Sequence, residues 1–241
     1  MYSHDSEIYG GSGNDTLQAI DGTNLVYGDD GNDYITSSGE NATLYGGAGR
    51  DQFSLYGTAN ASVYGDDGDD WVGMDGGLFE GGAGNDTAYS GANSTVYGGL
   101  GDDYLFSRSL AYGGDGNDQV NVDHAGVGYG GAGDDTLTSY SANGVVYGDG
   151  GDDVAYVMGG IAYGGDGDDL FTVQYFATGN ATIVGGETGE EATVNATNNP
   201  GGRVGDVLDL SGYTIISLTY DQADPTWNGL RSESGTAIIT S

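Results

Sequence analysis

Apolar residues along this chain keep two fixed distances from a recurring glycine step. One column stands two residues before the step: Val26, Leu44, Val63, Phe79, Val96, Ala111, Val146 and Ala162, with Gly128 as its weak member. The other stands at the eighth position of the nine-residue unit that the step opens: Leu17, Ile35, Phe53, Val72, Ala88, Leu105, Val120, Leu137, Ala155 and Phe171. Around both columns apolar and polar residues alternate, the period of short strands with one face buried. The units are GGSGNDTLQ from Gly10, GDDGNDYIT from Gly28, GGAGRDQFS from Gly46, GDDGDDWVG from Gly65 and GGAGNDTAY from Gly81. They continue as GGLGDDYLF from Gly98, GGDGNDQVN from Gly113, GGAGDDTLT from Gly130, GDGGDDVAY from Gly148 and GGDGDDLFT from Gly164. Their starts are 18, 18, 19, 16, 17, 15, 17, 18 and 16 residues apart. A repeat of about 18 residues predicts a flattened all-β solenoid with two short strands and two turns per coil. Its thin core is two facing apolar columns. Ten coils at ~4.8 Å per strand predict a length on the order of 50 Å.

Two looser units, GGETGEEAT from Gly185 and GGRVGDVLD from Gly201, carry their second fixed glycine one place late and read as degenerate coils. The expected organisation is a short lead-in over 1–9, the solenoid over 10–202 with 185–202 degenerate, and capping strands over 203–241. In that last stretch VLDLSGYTIISLTY reads as strand, DQADPTWNG as a turn and LRSESGTAIIT as a return strand. The total is about 10–12 coils. Only about nine residues precede the first turn, so the first coil is expected to be almost uncapped.

Composition narrows the function. The 241 residues include 50 Gly, 37 Asp or Glu and only 4 Arg, with no Lys and no Cys, for a formal net charge of −33. Nucleic acid and anionic membrane surfaces would repel such a chain. No apolar run approaches the ~20 residues of a membrane span, so neither nucleic acid nor membrane insertion is expected. Without Cys there is no disulfide framework and no thiolate ligand or nucleophile. His4 and His124 have no metal-ligand spacing and read as surface residues. HExxH, GxSxG and a Lys-bearing phosphate loop are all absent, and nothing forms a nucleophile–base pair, so no enzyme is expected. Met1–Ile8 lacks the basic and apolar stretches of a cleaved export signal.

The acidic residues are not scattered. Asp15, Asp33, Asp51, Asp70, Asp86, Asp103, Asp118, Asp135, Asp153 and Asp169 all occupy the sixth position of their unit. Glycine lets backbone carbonyls converge on a point, and this Asp aims a carboxylate at the same point. Stacked coil on coil, the carboxylates would repel one another strongly unless a cation lay among them. Carboxylates plus carbonyls describe a Ca²⁺ site better than a Mg²⁺ one, and without His or Cys ligands zinc and copper are poor candidates.

The frame GGxGxDx(apolar)x resembles the RTX, haemolysin-type nonapeptide from Gly10 to Phe171, and more weakly to Ser211. The resemblance implies a parallel β-roll, with Ca²⁺ held between successive turns by the sixth-position Asp and by carbonyls of earlier turn residues. On it, the fourth-position glycines Gly13, Gly31, Gly49, Gly68, Gly84, Gly101, Gly116, Gly133, Gly151 and Gly167 would supply carbonyl ligands. One ion between each adjacent pair of ten turns implies about nine Ca²⁺. The chain departs from the simplest members: its motif fills alternate half-coils only, so one calcium-bearing edge and one edge of variable loops are expected. Asp29, Asp66 and Asp149 replace the second glycine, which fits a left-handed turn position and would offer an additional ligand. The resemblance also implies type I secretion, with folding in calcium-rich medium and an extracellular or cell-surface location.

Tyr9, Tyr27, Tyr45, Tyr64, Tyr97, Tyr112, Tyr129, Tyr147 and Tyr163 stand just before the glycine step, interrupted by Glu80. Alternation turns these rings outward, where cross-strand stacking would stabilise the roll. A glycan, a surface or a neighbouring roll is the competing use of such a stripe. Asn41, Asn60, Asn93, Asn180 and Asn195 begin glycosylation-type triplets but read equally as turn residues. The third and fifth turn positions do not form the regular Thr–Asn lattice an ice-binding face would need. The expected function is thus a calcium-binding structural, adhesive or self-assembling β-roll that folds on Ca²⁺ binding and stacks with copies of itself into filaments or a surface layer. The alternative is a non-catalytic RTX module of a larger type I secreted enzyme or adhesin.

Overall fold

The computed structural model describes residues 6–20, 22–39, 41–57, 60–174, 181–184, 191–197, 207–209, 214–220, 230–233 and 236–239; side chains are described through residue 172 and at 183–184. Every regular element among them is a strand. Contacts divide the chain into two units, Met1–Gly116 and Asn117–Ser241.

In the first unit, one parallel sheet is built from the strands that run into the glycine step: Glu7–Ser12, Leu25–Asp30, Thr43–Ala48, Ala61–Asp67, Gly77–Ala83, Ser94–Leu100 and Leu110–Asp115. A second is built from the four-residue strands that leave the turn: Thr16–Ala19, Tyr34–Ser37, Gln52–Leu55, Trp71–Met74, Thr87–Ser90 and Tyr104–Ser107. Each strand pairs with its counterpart one coil away, which makes the unit a β-solenoid. Register is strict. Val26, Leu44, Val63, Phe79, Val96 and Ala111 are mutual partners in the first sheet. Leu17, Ile35, Phe53, Val72, Ala88 and Leu105 are partners in the second. Apart from Leu17, which is half-buried, both columns are fully buried. A third buried column, absent from the sequence reading, lies two residues further along the short strands: Ala19, Ser37, Leu55, Met74, Ser90 and Ser107. The serines fit because each finds a partner: Ser90 Oγ bonds Ser107 Oγ at 3.0 Å and Ser94 Oγ bonds Ser90 Oγ at 2.9 Å, and Ser37 Oγ accepts the Gly39 N–H at 3.3 Å.

The unequal spacing of the repeats is absorbed at the edge away from the glycine turns. The 15-residue step leaves only Arg108 and Ser109 between strands, and a 16-residue step leaves only Asp75 and Gly76; longer steps put three to five residues there. Asn41 and Asn93 lie in these loops at φ 65° and 63°, as turn residues do.

The second unit repeats the arrangement. Val127–Ala132, Val145–Gly150, Gly160–Asp166, Ala181–Val184 and Val207–Asp209 form one parallel series. Gln119–Val122, Thr136–Ser139, Val154–Val157, Leu170–Gln174, Glu191–Thr197 and Thr214–Tyr220 form the other. The core columns are Gly128, Val146, Ala162 and Ile183 against Val120, Leu137, Ala155 and Phe171, all buried. Gly128 is the weak member for a packing reason: a Cβ there would approach Val120 Cγ1 to 2.8 Å and Val122 Cγ1 to 3.0 Å. After Val207–Asp209 the pairing changes sign, with Thr236–Ile239 antiparallel to it and Leu230–Glu233 antiparallel beyond. The degenerate turns at 185–190 and 201–206, and the expected turn at 221–229, lie outside the described residues. Together the two units hold about ten solenoid turns, the all-β architecture that the repeat predicts.

On the outer surface the tyrosines stack face to face. Centroids are 4.9–5.0 Å apart along Tyr9, Tyr27, Tyr45 and Tyr64, 4.8 Å for Tyr97–Tyr112, and 4.6–4.7 Å along Tyr129, Tyr147 and Tyr163. The ladder is a consequence of strict parallel register, which places identical residues one strand spacing apart.

Candidate metal sites along the glycine turns

Each turn is shaped by two positive-φ positions, the second and fourth. Glycine fills nearly all of them, at φ values such as 106° for Gly47 and 132° for Gly49. Where Asp29, Asp66 and Asp149 take the second position they adopt φ of 71–74°, the left-handed region that aspartate tolerates better than most residues. The first-position glycine has no such φ; its requirement is space. A Cβ on Gly28 would collide with Oδ2 of Asp33 and with the carbonyl oxygen of Gly46 in the next coil. The same pair of oxygens, one carboxylate and one carbonyl, closes on Gly46, Gly65, Gly81, Gly98, Gly130 and Gly148.

The sixth-position carboxylates divide their two oxygens between two tasks. Oδ1 reaches back one coil and accepts the backbone N–H of the preceding sixth-position Asp. The distance is 2.7 Å for Asp15 to Asp33, Asp33 to Asp51, Asp51 to Asp70 and Asp70 to Asp86. It is 2.6 Å for Asp86 to Asp103, and 2.7–3.0 Å along Asp118, Asp135, Asp153 and Asp169. Oδ2 of Asp15, Asp33, Asp51, Asp70, Asp86, Asp135 and Asp153 is buried and accepts no hydrogen bond. A buried carboxylate oxygen without a donor is costly, and several in register compound the cost. The carboxyl pKa values record it. Burial, opposed in part by the N–H bond and reinforced by neighbouring Asp charges, raises Asp51 to about 6, Asp70 to about 7, Asp135 to about 7 and Asp153 to about 8. Burial likewise raises Asp86 to about 6, and Asp33 is shifted in the same direction.

Among the described residues no three carboxylate or imidazole groups converge. A cation held here would therefore draw most of its ligands from the backbone, as a hard, oxygen-preferring ion does. A bare Oδ2 facing a carbonyl oxygen across a cradle open only because glycine lines it fits that ion. The chain thus brings Asp15, Asp33, Asp51, Asp70, Asp86, Asp103, Asp135 and Asp153 to the first-position glycines. The fourth-position carbonyls form a separate column, the oxygens of Gly13, Gly31, Gly49, Gly68, Gly84 and Gly101 each lying against the fourth-position glycine of the following coil. The same holds for Gly133 and Gly151.

Sequence reasoning missed three features: the first-position carbonyl, the Oδ1 bond, and a second ladder at the fifth position. There the side-chain oxygen accepts the N–H of the next coil's fifth residue: Asn14 from Asn32 and Asn32 from Arg50, both 2.9 Å, Asp69 from Asn85 at 3.0 Å, and Asn85 from Asp102 at 2.9 Å. In the second unit Asn117, Asp134 and Asp152 continue it at 2.8–2.9 Å. The signal was available, since nine of the ten fifth positions are Asn or Asp. Arg50 is the exception; its guanidinium pairs with Asp69 at 2.7 Å instead.

The cradle makes a direct prediction. Gly81→Ala places a methyl against Asp86 Oδ2 and the Gly98 carbonyl, so it is expected to lower bound calcium by at least one ion per chain. Ala at the second-position Gly11, where nothing lies within 4 Å of the added Cβ, meets only the backbone cost of positive φ, about 1 kcal/mol. Calorimetric titration of the two variants checks it.

The family model for the RTX calcium-binding nonapeptide repeat, four copies long, matches residues 9–42, 19–53, 27–60, 80–109, 110–123 and 127–160. Together these cover more than half of the chain. No individual curated protein matches it. With the repeat matched across both units and the sixth-position carboxylates aligned coil by coil, the chain belongs to the RTX calcium-binding repeat family and is a calcium-binding β-roll.

Proposed function

We propose that this chain works outside the cell or on its surface as a structural, adhesive or self-assembling β-roll, exported by a type I route and folding as calcium binds. The observation that carries the reading is the column of buried Asp Oδ2 atoms without a hydrogen-bond donor, which leaves the roll internally repulsive until cations fill the turns. Asp15, Asp33, Asp51, Asp70, Asp86, Asp103, Asp118, Asp135, Asp153 and Asp169 are the carboxylate ligands in this proposal, and first-position carbonyls join the fourth-position ones as backbone ligands. About nine ions would be held. Binding free energy at a site absent from the unfolded chain becomes folding free energy. A non-catalytic role is supported by the residues left over, among which no nucleophile–base pair occurs in the sequence.

Calcium titration of the purified chain, followed by far-UV circular dichroism and sedimentation velocity together, tests the reading. A cooperative rise of β signal with a growing sedimentation coefficient is expected. Folding without growth favours the alternative, a non-catalytic module of a larger secreted enzyme or adhesin. A chain already folded in excess chelator overturns the calcium-coupled reading.

A further inference from the structure

The tyrosine ladder of the first unit is interrupted once. Register pairs Glu80 with Tyr64 on one side and with Tyr97 on the other, so a carboxylate stands where the stack would carry a ring. Tyr64 already stacks on Tyr45 at 4.9 Å and Tyr97 on Tyr112 at 4.8 Å. Each therefore has one ring face covered by a neighbouring ring and the other turned toward the Glu80 coil. At ~4.8 Å per strand, two strand steps separate those faces by about 9.6 Å, the space of one missing ring. Glu80 is exposed and Tyr97 is 40 % exposed. An open cavity lies on the Tyr97 side of Glu80, lined by Glu80, Gly81, Gly82, Tyr97, Gly98 and Gly99.

We infer that this gap is a binding slot for the guanidinium of an arginine side chain on a polypeptide partner. A guanidinium is planar, stacks on aromatic faces and presents paired N–H donors to a carboxylate. Two ring faces flanking one carboxylate offer all three contacts at once. An ammonium would keep the charge attraction and lose the stacking and the fork. The −33 net charge draws a cationic partner toward the roll. Free arginine fits less well, because its own carboxylate would face the acidic turns beside the slot. The slot shares Gly81 and Gly98 with a calcium cradle, so its test uses the calcium-loaded chain.

N-acetyl-arginine-methylamide and its lysine counterpart would be titrated into the ¹⁵N-labelled, calcium-saturated chain and followed by NMR. The expected result is shifts confined to the amides of residues 80–82 and 97–99 and the ring signals of Tyr64 and Tyr97, stronger for the arginine probe. E80Q is expected to weaken that response about fivefold or more. E80Y, which completes the ladder and leaves the circular dichroism spectrum unchanged, is expected to abolish it. Shifts spread over the acidic turns and equal for both probes, or a response that survives E80Y, would overturn the slot. So would a self-association of the chain that E80Y dissolves, because the occupant would then be a second copy.

Discussion

Asp86→Asn is expected to stabilise the calcium-free chain and destabilise the calcium-loaded one, while Asp86→Ala destabilises both. The asymmetry follows from the two oxygens of this carboxylate. Oδ1 accepts the Asp70 N–H at 2.7 Å, and an asparagine oxygen can do the same. Oδ2 is buried without a donor beside the carbonyl of Gly98, and an amide NH₂ in its place turns two facing acceptors into a donor and an acceptor. Without calcium that exchange removes a desolvated charge. With calcium it removes a ligand, and each ion lost costs about 2.7 kcal/mol at a calcium concentration a hundredfold above Kd. Alanine loses the ligand and also strands the buried Asp70 N–H, a further ~1–3 kcal/mol. Urea unfolding of the three proteins, in chelator and in saturating calcium, reads both signs. If Asp86→Asn destabilises the calcium-free chain, Oδ2 is not the strained atom described above.

Acid is expected to substitute for calcium. Asp51 and Asp86 are pushed up to about 6, Asp70 and Asp135 to about 7 and Asp153 to about 8 by burial, well above the ordinary carboxylate range. A carboxyl whose folded pKa is raised binds its proton more tightly in the fold than in the unfolded chain. That contribution to stability is fully present below about pH 4 and is lost as pH rises through 6 to 8. In chelator, β structure should therefore increase between pH 8 and pH 5. The latter still lies above the sequence pI of about 4.1, so the chain keeps a net negative charge. In saturating calcium the slope should reverse, because the ions take the deprotonated carboxylates. Far-UV circular dichroism and urea midpoints across pH 5–8, with and without calcium, give the two slopes. A calcium-free midpoint that is flat, or that rises with pH, would show that the ladder is not held charged at a cost.

The repeat made most of this fold legible before any coordinates. A unit with fixed glycines, a fixed Asp and a fixed apolar residue admits one stacking register, so the buried columns of Val26 and Ile35 and the outward tyrosines followed from spacing. Spacing also indicated that repeat-length variation would collect at the far edge. What could not be read was the use of each atom within the turn. Asp33 was visible as a ligand, but a sequence does not say that one of its oxygens is already taken by the Asp15 N–H. It does not say why Gly28 is glycine either, since conformation and close approach leave the same letter. The Ser37, Ser90 and Ser107 column was missed because serine carries no apolar signal; Ser90 and Ser107 are buried against each other across the stack, and Ser37 accepts the Gly39 N–H.

The sequence by itself therefore determined the period, the two-sheet solenoid, the Asp ladder and the calcium chemistry, because all of these depend on residue type at fixed intervals along one chain. Tertiary structure alone decided that Oδ2 faces the first-position carbonyl of the next coil and that fifth-position side chains form a second ladder. Those facts depend on which atoms meet across coils 15 to 19 residues apart, and that is fixed by the path of the backbone through each turn.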